Sequence, residues 1–196
     1  MPHQNVATAE DSVLLVIDVQ PSLVNVVIER ERTLANILVL LRLAQRLGLP
    51  ILATEQAPEK LGATHPDVLQ AAPTLKPIAK VTFSCLGAKG FQAALEDTGR
   101  NSVLMCGMET HVCVSQTCHD LLHEGYQAHV VADATSARRQ LDWRLAIEKM
   151  SQSGAIIATA EAVGFELLRT AEAEAFKEFQ EMIKGGFPQA GSEIPG

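Results

Sequence analysis

Residues 13–17 read VLLVI, apolar at every position, and the run closes on Asp18. A strand with one wet face alternates apolar and polar side chains. A strand covered on both faces reads as an unbroken apolar run. The segment therefore calls for a central strand of a parallel sheet, with helices above and below. At 196 residues the chain has the length of one domain. A chain this long buries roughly 70% of its potential surface and needs no disulfide or metal to fold. Aromatic residues make up only 4%, so the core must be built from Leu, Val, Ile and Ala.

Further elements follow the same pattern. Glu31 to Leu47 carries Leu34, Ile37, Leu38, Leu41 and Ala44 at helical spacing, and Gly48 follows as a stop. Leu49–Thr54 predicts a second strand and Lys76–Thr82 a short third. The polar, proline-containing stretch between them predicts a long connection of the kind that is often functional. Gly90–Asp97 predicts a short helix. Ser102–Cys106 predicts the fourth strand, broken by Gly107, and His111–His123 a helix capped by Gly125. Gln127–Val131 is the fifth strand, Arg139–Ser151 a helix, and Ala155–Thr159 a sixth, short strand. Glu161–Leu168 continues as helix with Thr159 as its cap, and Ala173–Lys184 is a last helix with Phe176, Phe179 and Ile183 on one face. Strands alternating with helices give a three-layer α/β/α fold around a doubly wound, mostly parallel six-stranded sheet. Residues 1–11 and 185–196 are expected to be flexible.

Charge and composition restrict the partners. A formal net charge of −7 and only 16 Lys plus Arg leave no basic stripe for nucleic acid. No apolar stretch is long enough to span a bilayer. The first residues, MPHQNVATAEDS, have neither the basic start nor the apolar run of a secretory signal. Cys85, Cys106, Cys113 and Cys118 form no CxxC pair and read as free thiols. A cytoplasmic location is the expectation, with no membrane or nucleic-acid partner.

In an open parallel sheet, ligands bind at the carboxyl ends of the strands. That rule selects Asp18, Thr54 with Glu55, Lys80, the segment Gly107–Cys113, and Asp133. Asp18 is either a functional carboxylate or a loop cap, and Gln20 beside it offers an amide to its neighbours. Cys113 lies between a glycine-terminated strand and an amphipathic helix. A thiol in a first helical turn sees unpaired N–H groups, which favour the thiolate and can hold an oxyanion. The plainer reading is a small buried hydrophobe. Lys80 is either a charge partner of such a thiol and carboxylate or a snorkelling surface lysine. Cys106 and Cys118 read as core, and Cys85 as half exposed. His119 and His123 share a helical face, but no HExxH or Cys–His set surrounds them. There is no GxGxxG after the first strand and no GxSxG elbow.

Four segments together carry a resemblance: LLVIDVQ, TEQAPEKLG, AKVTFSCL and CGMETHVCVSQTCHDLLHEGYQAHVVADA. The chain resembles the isochorismatase-like cysteine hydrolases, and within them the isochorismatase domain-containing proteins, from about Val13 to Phe179. The resemblance implies a triad of Asp18, Lys80 and Cys113. It implies a cis peptide between Met108 and Glu109, and an oxyanion hole made by the backbone N–H groups of Glu109 and Cys113. Asp18 would take the thiol proton, the thiolate would attack a small amide or related acyl carbonyl, and water would hydrolyse the thioester.

Two departures narrow the expectation. Nicotinamidases of this superfamily carry a metal-binding Asp-x-His set after the second strand, where this chain has Thr54, Glu55 and Gln56. No metal and no cofactor are therefore expected, and Gln20, Thr54, Glu55 and Gln56 become possible pocket residues. Isochorismatases proper replace the cysteine, which is present here as Cys113. The alternative is a non-catalytic binding protein on the same fold. Members of the superfamily commonly form dimers and larger rings, so a homo-oligomer is expected, with the last helix packing within or between subunits.

Overall fold

A computed structural model describes His3 and residues 5–186. Its sheet is six-stranded and parallel throughout, in the order β3-β2-β1-β4-β5-β6. The strands are β1 (Ser12–Ile17), β2 (Ile51–Gln56), β3 (Ile78–Lys80), β4 (Ser102–Met108), β5 (Gln127–Ser136) and β6 (Ile156–Ala158). The helices are α1 (Pro21–Val24), α2 (Arg30–Leu47), α3 (Pro58–Leu61), α4 (Pro66–Ala71), α5 (Phe91–Glu96), α6 (Ser115–His123), α7 (Gln140–Gln152), α8 (Ala160–Leu168) and α9 (Phe176–Gly186).

Every residue of β1 is buried, as its unbroken apolar run requires. Leu14 and Val16 face one core, with α2, α8 and α9. Val13, Leu15 and Ile17 face the other, with α5, α6 and α7. The chain winds from β1 out to β3, then returns to β4 and winds the other way. The strand order thus reverses between β1 and β4, and the crevice at their carboxyl ends is where such sheets hold ligands.

Several expectations need correction. The long connection after β2 holds two helices that were not expected: Pro58 and Pro66 each sit in the first turn of a short helix, α3 and α4. Proline fits there because its missing N–H has no partner in a first turn. β2 runs two residues further than expected, to Gln56, so Thr54 lies inside it. Gly107 does not end β4; it adopts φ 118 and pairs with Ile17. β5 is longer than expected, reaching Ser136 through a register shift opposite Met105 and Gly107. Asp133 therefore lies within β5, not after it, and its Oδ1 accepts from the Ala160 N–H at the start of α8, at 2.8 Å. Thr159 caps α8 as expected, accepting from Ala162 N–H.

The last helix packs on its own domain. Phe179 is fully buried, and a Cβ on Gly164 of α8 would collide with its ring. Phe165 meets Phe179 edge to face, with ring centroids 5.3 Å apart. Arg46 of α2 pairs with Glu174 and Glu178. Gly185 and Gly186, expected to be part of a flexible tail, fall within α9, and residues 187–196 lie outside the described residues. Ahead of β1, Ala7 is buried and its N–H donates to Glu166 Oε2 at 2.9 Å.

Candidate active site

Three strand ends build the site. Asp18 follows β1, Lys80 ends β3, and Cys113 follows β4. Lys80 Nζ donates to Asp18 Oδ2 at 2.6 Å, and both side chains are fully buried. A buried ion pair is costly unless its remaining valences are met. Here they are. Lys80 Nζ also reaches Gln56 Oε1 at 2.7 Å, Phe83 O at 3.1 Å and Thr82 O at 3.2 Å. Asp18 Oδ1 accepts from the Thr54 hydroxyl at 2.8 Å.

Asp18 has left-handed backbone at φ 50. A side chain with a Cβ adopts that region only under constraint, and such residues cluster at functional sites. The constraint is visible: Asp18 N–H donates to Thr54 O, and Asp18 O accepts from Gln20 N–H.

Cys113 occupies a π-helical turn, Thr110–Val114, that leads into α6. The expectation of an ordinary helix starting at His111 is thus corrected in its first turn. Single π turns inside helices are frequent at functional sites. The Met108–Glu109 peptide bond just ahead is cis. Cys113 is 4% exposed, and its Sγ lies 3.9 Å from Gln56 Oε1. Burial pushes this thiol up to about 12, the Asp18 carboxylate adds to the rise, and the Lys80 ammonium opposes it. The resting thiol is therefore protonated, contrary to the thiolate that a first-turn position alone would favour.

The four expected pocket residues occupy different roles. Thr54 is buried under Asp18. Gln20 grips the end of β2, donating to Gln56 O and Gly62 O while accepting from Gln56 N–H. Glu55 Oε1 accepts from the N–H and hydroxyl of Thr64. Gln56 alone of the four touches both Lys80 and Cys113. Its amide orientation is fixed, because Nε2 donates to Val81 O at 3.0 Å. No group of three or more His, Cys, Asp or Glu arranged for a metal occurs among the described residues.

Sequence reasoning missed Arg138. Its guanidinium holds the Glu109 carboxylate with two bonds, at 3.0 and 2.8 Å. The Glu109 side chain is buried, while that of Arg138 is 62% exposed. Arg138 sits in the loop between β5 and α7, and nothing local in ARRQ singles it out. Cys85, expected half exposed, is fully buried in a short 3-10 turn, with Sγ 3.6 Å from Thr54 Oγ1. Val81 and Phe83, beside Lys80, are exposed.

Comparison with known proteins agrees with this architecture. Residues 12–162 match the family model described as the isochorismatase domain. Mouse isochorismatase domain-containing protein 2A is 44% identical over 153 residues, covering 78% of this chain and 72% of the mouse protein. The zebrafish isochorismatase domain-containing protein 2 is 34% identical over 185 residues, covering 94% and 92%. Among solved structures, a Caenorhabditis elegans protein described as MAR1 ribonuclease superposes with TM-score 0.89 at 31% identity, over 97% of this chain and 98% of that one. The Escherichia coli YcaC product, described as an octameric hydrolase of unknown specificity, gives 0.84 at 25% identity, over 94% and 97%. With a family match over three quarters of its length and relatives above 30% identity along it, the chain belongs to the isochorismatase family.

Proposed function

We propose that this protein is a cysteine hydrolase acting on a small amide or related acyl compound through a thioester. The observation that carries the reading is the buried cluster in which Lys80 binds Asp18 at 2.6 Å and both charges act on the Cys113 thiol. Asp18 accepts the proton of Cys113 as sulfur attacks the carbonyl carbon. Lys80 favours both anions without giving up a proton, since its donors are already engaged. The backbone N–H groups of Glu109 and Cys113 hold the developing oxyanion. Asp18 then protonates the leaving amine, and water, deprotonated in turn by Asp18, releases the acid and restores the thiol. Neither metal nor cofactor enters this scheme.

The same reading extends to assembly and location. Val81, Phe83, Leu141 and Leu145 are large apolar side chains left exposed on one chain. They support a homo-oligomer. No helix among the described residues is long and apolar enough to cross a membrane. A cytoplasmic protein is the proposal. A ribonuclease role, named for the C. elegans structure, is not carried over, because a net charge of −7 opposes a polyanionic substrate.

A screen of small amides and imides, read by intact mass, tests the proposal. A covalent acyl adduct on Cys113, absent in Cys113→Ser, is expected. The burial of Cys113 and its raised pKa favour a second reading, a non-catalytic binding protein. Ligand binding with no adduct, no turnover, and Cys113 labelling no faster than an ordinary thiol would decide for the second.

A further inference from the structure

We propose that Thr54, backed by the thiol of Cys85, is a positioning residue for Asp18. The inference rests on the hydrolase reading above and adds a component to it. Asp18, Thr54 and Cys85 are each no more than 1% exposed. Thr54 Oγ1 stands 2.8 Å from Asp18 Oδ1 and 3.6 Å from Cys85 Sγ. These contacts have a fixed direction. A carboxylate only accepts, so the single hydroxyl proton of Thr54 goes to Asp18. Thr54 Oγ1 is then free to accept, and Cys85 is placed to supply the proton. Its thiol, pushed up by burial to about 11, is protonated at neutral pH. The chain therefore runs Cys85 S–H to Thr54 O–H to Asp18.

The backbone fixes both ends of this chain. Thr54 O accepts from the Asp18 N–H at 3.1 Å, so one residue of β2 holds Asp18 by main chain and side chain together. Cys85 N–H donates to Thr117 Oγ1 at 3.0 Å, which ties the outer end to α6. Two consequences follow for chemistry. With Oδ2 on Lys80 and Oδ1 on Thr54, the carboxylate plane cannot turn, and the lone pairs left over define where a thiol proton can go. A hydrogen bond to the charged form also favours that form. Thr54 thus holds Asp18 in one orientation, ready to act as a base, although it touches no substrate.

The test is the rate of iodoacetamide labelling of Cys113 against pH, read on the peptide that contains it. Wild type should show an acid limb, over which labelling rises with pH. Thr54→Val keeps the shape and removes the donor. Its limb should move to higher pH by about one unit, with labelling near the foot of the limb slowed roughly tenfold. Thr54→Ser should restore the wild-type profile. Cys85→Ala should move the limb the same way by a smaller amount, and it decides the matter if Thr54→Val does not fold. A loss of packing alone would lower the melting temperature and leave the limb where it was. Limbs unmoved in the folded variants, beside a normal wild-type profile, overturn the inference alone. A wild-type Cys113 labelled no faster than an ordinary thiol removes the hydrolase reading and the inference with it.

Discussion

Gly107 and Ile17 touch through their backbones: a Cβ on Gly107 would collide with the carbonyl oxygen and nitrogen of Ile17. Ile17 is the residue before Asp18, so the absence of a side chain in β4 sets where β1 delivers its carboxylate. Gly107 also has φ 118, which side chains with a Cβ rarely adopt. Gly107→Ala should cost about 2 kcal/mol or more in urea unfolding. It should also slow Cys113 labelling, since β1 must shift. Wild-type stability in that variant would show that the contact relaxes freely.

His129 predicts an acid sensitivity. It is fully buried in β5, and neither ring nitrogen has a hydrogen-bond partner among the described residues. Burial lowers it from 6.5 to about 4, with the charge of Asp11 opposing the shift. The fold therefore keeps it neutral while the unfolded chain protonates below 6.5. Its contribution is complete above pH 6.5 and is lost as pH falls towards 4. At about 1.4 kcal/mol per unit, the loss is on the order of 3 kcal/mol. Chemical unfolding of wild type and His129→Gln from pH 7 to 4 checks this. The stability gap between the two should narrow as pH falls, and a constant gap would rule the mechanism out.

Phe179 predicts how α9 contributes. The ring fills the space that Gly164 leaves open and meets Phe165 edge to face. Phe179→Ala should cost about 3–5 kcal/mol through lost burial and the cavity left behind. Gly164→Ala should also destabilise, by forcing the ring out. Thermal melts of both variants are the measurement. Melting temperatures equal to wild type would mean that α9 is dispensable to the domain.

Arg138 predicts a link between a surface residue and the turn before Cys113. Arg138→Met leaves the buried Glu109 carboxylate without its cation. Because the guanidinium is largely exposed, the stability loss should be modest, about 1 kcal/mol. The loss in turnover should be larger, because Glu109 offers its backbone N–H to the oxyanion in the proposed mechanism. A kcat reduced with KM little changed is the expected kinetic signature. Unchanged kcat would separate the ion pair from the chemistry.

The central part of this fold was legible because burial on two faces leaves a plain mark. VLLVI has no polar position, and β1 is buried at every residue. Strand ends then pointed to Asp18, Lys80 and Cys113, and the family resemblance joined them. What stayed hidden depends on contacts between distant segments. Arg138 meets Glu109 across 29 residues, and Cys85 meets Thr54 across 31. Neither spacing follows a helix or strand period. α3 and α4 were hidden differently: Pro58 and Pro66 punctuate the sequence as breakers, yet each opens a helix. β5 ran past its expected end because its irregular register cannot be read from one strand alone.

The enclosure of Lys80 has a last consequence. Four oxygens surround an ammonium that has three protons, so no hydrogen-bonding capacity is left to offer a visitor. The cation acts as a fixed countercharge and not as a hand that grasps. In the proposed mechanism the Cys113 proton moves to Asp18, and the summed charge of the three side chains is zero before and after. No ion has to enter from solution to balance the transfer. Under that mechanism, added salt should leave the rate with a small uncharged amide nearly untouched.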